Sequence, residues 1–269
     1  MAEVTASARA EDTVARILAF VQAMEDASST DLVPFRYGVA LFNSVFPRSW
    51  AHNFLRVERT GESPTADVLA VEADRLQGGA GLPHRQIVVR DDALGARLET
   101  GFRERGWLVD RLVYMVHRGA PDRTADTSIV AEVPFEEAKP ALEAFIRAAP
   151  YGDSEETVRQ LVERTLLAAQ ASNVRHFAVA VEGRIASTCQ LYSGDGTAQI
   201  EDVATFEEFR NRGFARATVQ RALDVARAEG HDLVFLEADR DDWPRRLYAR
   251  MGFEPVADTH NFTRPPDPS

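Results

Sequence analysis

Three strand-like runs joined by very short turns, followed at once by a long amphipathic helix, restrict this chain more than any other feature. The run "VRHFAVAV" at 174–181 leads through the turn "EGR" into a second run at 185–192. The turn "SGDG" then leads into a third at 198–205. Connections this short join neighbouring antiparallel strands. The third run ends in a turn bearing arginine and glycine. Beyond it, Ala215, Val219, Ala222, Leu223 and Ala226 recur at helical spacing, with Arg216, Gln220, Asp224 and Arg227 on the opposite side, until Gly230 stops the helix. Upstream, the pattern predicts a strand at 129–133 and helices at 135–149 and 155–171, the second capped by Asp153 and Ser154. Downstream, it predicts a strand at 233–236, a helix at 243–251 and a last strand from Phe253. The order β-α-α-β-β-β-α-β-α-β is that of an α/β (α+β) fold, a mixed, mostly antiparallel sheet flanked by helices.

The first part of the chain carries a faint copy of this ending. "NFLRVER", "RQIVV" and "WLVDRLVYMV" read as strands, with helices over "TADVLAVEADRL" and "LGARLETGFRERG" between them. "VVRDDALGARLETGFRERGW" and "EADRDDWPRRLYARMGF" both run strand, Arg-Asp-Asp, helix, Gly, aromatic; the first is longer by about one helical turn. An internal repeat is expected. The turn-rich segment "HRGAPDRTADTS" at 117–128 places the boundary between a domain at 1–120 and one at 121–269. The Pro-rich end, "TRPPDPS", is expected to be disordered.

Composition excludes several functions. The net charge is −11 and the arginines form no basic block, so nucleic acid is not an expected partner. An acidic protein suits a cationic or neutral partner such as an amine. No apolar run approaches the length of a membrane span, and the acidic start does not resemble a signal peptide, so a cytoplasmic location is expected. The single cysteine, Cys189, reads as a small core residue, and the six histidines lack ligand spacing, so no metal is expected. The carboxylates Asp239, Asp241 and Asp242 in "DRDDWP" read as a cap for the helix containing Pro244. Tyr37, Phe42, Phe46 and Trp50 read most simply as core.

The turn before the long helix is the centre of the functional reading. A helix start exposes unpaired amides and the positive end of the helix dipole. Gly213 removes a side chain that would hold a ligand off the backbone, and Arg210 and Arg212 add positive charge. Together these make a phosphate cradle. Neither the lysine-bearing P-loop nor the Gly-x-Gly-x-x-Gly pattern occurs, so neither a hydrolysed triphosphate nor a nicotinamide dinucleotide is expected there.

The motif Arg210-x-x-Gly213-x-Ala215 follows the strand "DVAT", and "LYARMGF" follows near the end. In this combination residues 129–262 resemble the GNAT superfamily of acyl-CoA N-acyltransferases. The resemblance implies acetyl-CoA, or coenzyme A, as cosubstrate. Its diphosphate would lie on the backbone amides of Arg210, Asn211, Arg212, Gly213, Phe214, Ala215 and Arg216. Its pantetheine arm would pair with the backbone of Val203 and Thr205, and the Val203 amide would stabilise the oxyanion. Tyr248 matches the family's general acid, which protonates the departing thiolate. Glu201, expected on the same strand face as Val203, is the candidate general base, acting directly or through water. Phe102 falls opposite Tyr248 in the repeat, and "ERTGESPTADV" lacks the arginine-glycine turn, so the first half reads as a degenerate GNAT-like unit roofing the acceptor pocket. The expected activity is direct N-acyl transfer to a small amine. A non-catalytic acyl-CoA-binding module, a protein-lysine acetyltransferase and a hydroxyl acceptor remain open on these residues.

Overall fold

The computed structural model describes residues 2–58 and 63–266, with side chains from Ala10 onward. The Pro-rich tail expected to be disordered begins inside the sheet, where Thr263 and Arg264 end the last strand; its residues 267–269 and the "RTGE" connection at 59–62 lie outside the described residues.

The chain opens with a long helix, α1 (Ala2–Ala27). The first half continues with β1 (Asp31–Phe35), β2 (Gly38–Phe42), β3 (Phe54–Val57), α2 (Ala66–Ala73), β4 (Arg85–Val89), α3 (Asp92–Glu104) and β5 (Leu108–His117). The second half contains β6 (Val130–Val133), α4 (Phe135–Ala148), α5 (Glu155–Glu163), β7 (Asn173–Val181), β8 (Arg184–Gly194), β9 (Thr197–Thr205), α6 (Phe214–Ala228), β10 (Leu233–Asp239), α7 (Pro244–Arg250) and β11 (Phe253–Arg264). The second half follows the expected order. One difference is that α5 stops at Glu163 and tightens into a 3₁₀ segment, Arg164–Gln170. There Thr165 donates its hydroxyl to the Val162 carbonyl at 2.7 Å, a local bond that competes with the helical ladder.

All eleven strands form one sheet in the order β1-β2-β3-β4-β11-β5-β10-β9-β8-β7-β6. Only β3/β4 and β9/β10 are parallel. At the centre the halves are interleaved: β11 lies between β4 and β5, and β5 lies between β10 and β11. The last strand of each half is thus separated from its own β-α partner by the last strand of the other. The repeat is visible as β3-α2-β4-α3-β5 echoed by β9-α6-β10-α7-β11. Both copies turn on a left-handed glycine, Gly106 (φ 72°) and Gly252 (φ 91°), followed by a buried aromatic, Trp107 and Phe253.

Helices α6 and α7 cover a core containing Met115, Phe177, Cys189, Ile200, Val219 and Tyr248. On the opposite face of the central strands, Ile17 of α1 packs on Tyr114, Val116 and Phe235. Tyr37 and Phe42 belong to the packing of the first half, Phe46 is buried, and Trp50 stacks on His84 with centroids 5.4 Å apart. Cys189 is fully buried.

Gly252 fixes where α7 ends and β11 begins. A Cβ there would lie 2.1 Å from the Gly119 carbonyl oxygen, and the φ of 91° already disfavours any side chain. Gly252→Ala is expected to cost at least about 2 kcal/mol, read as a lowered midpoint in urea unfolding.

Candidate active site

The decisive local feature is a bulge in β9. The β8–β9 register runs Ser187↔Thr205 and Thr188↔Ala204, then resumes at Gln190↔Glu201, so Asp202 and Val203 together oppose Cys189. Asp202 takes a left-handed conformation, φ 49°, to admit the extra residue. This breaks the two-residue alternation and corrects the expectation that Glu201 and Val203 share a face. Val203 packs with Ile200 and Tyr248 on the α6 side. Glu201 lines a cavity on the α1 side with Gln199 and Asp202.

Beside the bulge the sheet opens. The β9–β10 ladder runs from Thr197↔Leu233 to Ile200↔Leu236 and stops there, while β10 continues on β5 to Asp239↔Leu112. The Phe206 N–H bonds the Ala186 carbonyl at 3.0 Å, so the backbone of Thr205 turns away from β8, toward the opening. Arg210 Nε reaches the Thr205 carbonyl from that side at 3.4 Å.

The turn into α6 lies at the end of this edge. Asn211 (φ 62°) and Gly213 (φ 85°) are left-handed, and Gly213 is the N-cap with no side chain to accept a first-turn amide. The Arg210 amide, expected in the cradle, is instead spent on the Glu207 carbonyl at 3.1 Å, whereas the amides of Phe214, Ala215 and Arg216 are left to an external acceptor. A Cβ on Gly213 would meet nothing within 4 Å. The glycine serves the backbone angle and leaves open ground over the amides. Arg210, Asn211 and Arg212 are exposed, and the Arg212 guanidinium lies over the rings of Phe209 (5.7 Å) and Phe214 (4.9 Å). The Arg216 side chain is buried and pairs with Asp122 at 2.8 Å, so only its backbone faces the turn. Gly213→Ala is expected to cost about 1–2 kcal/mol in stability, because an L side chain resists this φ, and to weaken anion binding at the turn. Urea unfolding with coenzyme A titration calorimetry reads both effects.

Tyr248 is buried, its ring edge-on to Phe253 at 6.2 Å. Burial first, then the negative charge of Glu201, holds its phenol well above the ordinary range. Glu201 is largely buried, and its carboxyl is pushed up to about 8 by burial and by the neighbouring carboxylates of Asp202 and Glu237, against a hydrogen bond from Gln199. The acids of "DRDDWP" do not cap α7, whose N-cap is Trp243. Asp239 Oδ1 instead accepts from the amides of Asp241 (2.8 Å) and Asp242 (3.1 Å), tying the loop to the end of β10. Among the described residues no group of acids, histidines or cysteines is arranged to hold a metal ion. No described helix is long and apolar enough to cross a membrane.

The sequence model of the acetyltransferase (GNAT) family matches residues 139–253, the stretch that carries the bulge, the open strand edge, the Gly213 turn and Tyr248. Over this stretch the chain is similar to that family. The chain as a whole shares its fold with several solved structures. A GCN5-related N-acetyltransferase from Kribbella flavida is 18% identical with a TM-score of 0.60, covering 95% of each chain. A functionally unknown conserved protein from Staphylococcus epidermidis is 15% identical with a TM-score of 0.67, covering 88% of this chain and 94% of that one. A tandem GNAT protein from the clavulanic acid biosynthesis pathway is 17% identical with a TM-score of 0.51, over 80% and 75%. At these identities the likeness is one of fold. No match is found among curated proteins.

Several residues at the candidate site are not marked in the sequence by any motif. The cavity at Glu201 holds about 160 Å³ and takes its walls from three separate places. Met24 comes from α1, Leu41 and His52 come from the first half, and Arg164 and Tyr192 come from the second. Glu237 on β10 adds negative charge near Glu201 and accepts from Thr259 of β11 at 3.3 Å. In the first half, Phe102 is fully buried and stacks on Phe262 at 4.2 Å, with no proton to give.

Proposed function

We propose that the protein transfers an acetyl group from acetyl-coenzyme A to the nitrogen of a small amine, with both substrates bound together. One observation carries this reading. The β9–β10 ladder ends beside the bulge and the open edge of β9 that leads to the bare amides at the start of α6, with Tyr248 on the α6 side of the sheet and Glu201 on the α1 side. The residues suit coenzyme A. Unpaired helix amides with flanking arginines accept a diphosphate, and an open strand edge accepts an amide-bearing arm as an added strand. When bound, the thioester supplies the activated acyl carbon.

The chain's own groups do the rest. The Val203 amide donates a hydrogen bond to negative charge developing on the acyl oxygen. Glu201, ionised at mildly alkaline pH, takes the proton of the attacking amine. Tyr248 returns a proton to the departing sulfur. Burial raises a thiol as well as a phenol, as the adjacent Cys189, pushed up to about 12, illustrates. Because burial raises donor and acceptor together, the transfer from phenol to thiolate stays as accessible there as in water. The acceptor enters from the α1 side. The cavity of about 160 Å³ is smaller than the roughly 300–1,000 Å³ of ordinary ligand pockets, and residues of the first half wall it, which favours a small molecule over a protein lysine. In this reading residues 1–120 are a degenerate GNAT-like half serving as a roof, and residues 121–269 are the catalytic unit.

Free thiol released from acetyl-CoA, followed with a panel of small amines, is the direct test. Amine-dependent release is the expected result. Acetyl-CoA binding without release for any amine would leave a binding module instead of an enzyme.

A further inference from the structure

The acceptor cavity has two electrical poles. Gln199, Glu201 and Asp202 line its wall, and so does Arg164, on the 3₁₀ segment that follows α5. Asp202 accepts a hydrogen bond from Gln190 at 3.0 Å, and the third acid of the wall, Glu25, is held by Arg56 and Arg90. Arg164 has no such counterpart. Its Nε is buried without a hydrogen-bond partner, and no ion pair is found for its guanidinium among the described residues. The neighbouring base does not neutralise it either: His52, bonded to Ser49 at 2.9 Å, is kept uncharged by burial and by Arg164 itself, with its imidazole pushed down to about 3. The two poles are close enough to act on one group. Beyond the effect of burial, Asp202 and Glu201 oppose ionisation of the Tyr192 phenol, and Arg164 favours it.

A guanidinium on a cavity wall, with its Nε buried and no protein carboxylate within ion-pairing distance among the described residues, is costly unless a ligand supplies an anion. A planar fork of donors fits a carboxylate better than any neutral group. From this arrangement we infer that the acceptor is a small amino acid or a similar short zwitterion. Its carboxylate pairs with Arg164, and its amine lies at Glu201. The inference rests on the acetyl-transfer reading and narrows its substrate class. The alternative suggested by the acidic composition, a polyamine, would place a second cation near Arg164, where repulsion discriminates against it.

The test compares amino acids with their own carboxamides and with diamines of similar length, using the full chain and saturating acetyl-CoA. For the best amino acid, kcat/KM is expected to exceed that of its carboxamide by about 100-fold, carried mainly by KM. In Arg164→Gln that ratio is expected to fall below about 5, while acetyl-CoA affinity is unchanged. Arg164→Lys should retain an intermediate preference, which a purely structural role for the arginine would not produce. If carboxamides or diamines are acetylated as well as amino acids by the unaltered protein, the inference is overturned and acetyl transfer stands. If no probe of any class releases thiol, both readings fall.

Discussion

Tyr248→Phe is expected to lower kcat by about 100- to 1,000-fold and to leave the Kd for acetyl-CoA within about twofold. The magnitude is that of a positioned general acid. The substitution removes one oxygen and keeps the ring, so the edge-on contact with Phe253 and the buried packing against the sheet survive. A loss confined to kcat therefore reports on proton delivery to the sulfur and not on a collapsed core. The coenzyme's proposed anchors, the amides at 211–216 and the edge of β9, lie on other elements, which is why binding should persist. The check is steady-state kinetics beside calorimetric titration. Unaltered turnover would remove Tyr248 from the chemistry.

Glu201→Gln should lower kcat/KM for the acceptor by about 100-fold at pH 9 and change the shape of its pH profile. As a base, Glu201 must be ionised, and its carboxyl titrates near 8. Below that pH two ionisations limit the unaltered enzyme, that of Glu201 and that of the amine, so the logarithmic slope approaches two. In the variant only the amine remains, and the slope falls to one. Stability offers a second readout independent of catalysis. The folded state holds the Glu201 proton more tightly than the unfolded chain does. The stability this contributes is present below the ordinary value of 4.5 and is lost as pH rises to about 8. The variant lacks this titration, so its Tm relative to the unaltered protein should be higher at pH 9 than at pH 5. A slope that stays near two in the variant would assign the base elsewhere.

The second half was legible because its signals are local. Glycine turns, a helical stripe from Ala215 to Ala226 and a buried cysteine mid-strand each depend on neighbours a few residues away. The Gly213 turn was equally readable, since a left-handed N-cap without a capping side chain needs glycine in the sequence itself. The face occupied by Glu201 was not. Strand alternation places it with Val203, and the single left-handed residue Asp202 overrules that, with no glycine to announce it. Arg164 was hidden for a different reason. Its meaning comes from the absence of a partner, which depends on Met24, His52 and Tyr192 converging from distant parts of the chain. The hairpin of β1 and β2 was also missed, because Asp31–Phe35 is mostly exposed and lacks the alternation of a half-buried strand.

The interleaving of β5 and β11 bears on how the protein is made. β5 has partners only in β10 and β11, and β4 keeps an unfilled side until β11 arrives. A ribosome must therefore deliver nearly the whole chain before either half can close its hydrogen-bond ladder. Such late, long-range pairing slows folding and leaves strand edges bare in the meantime. It also ties the fates of the two repeats together, since neither can be cut away, exchanged or inherited alone without opening a gap in the other.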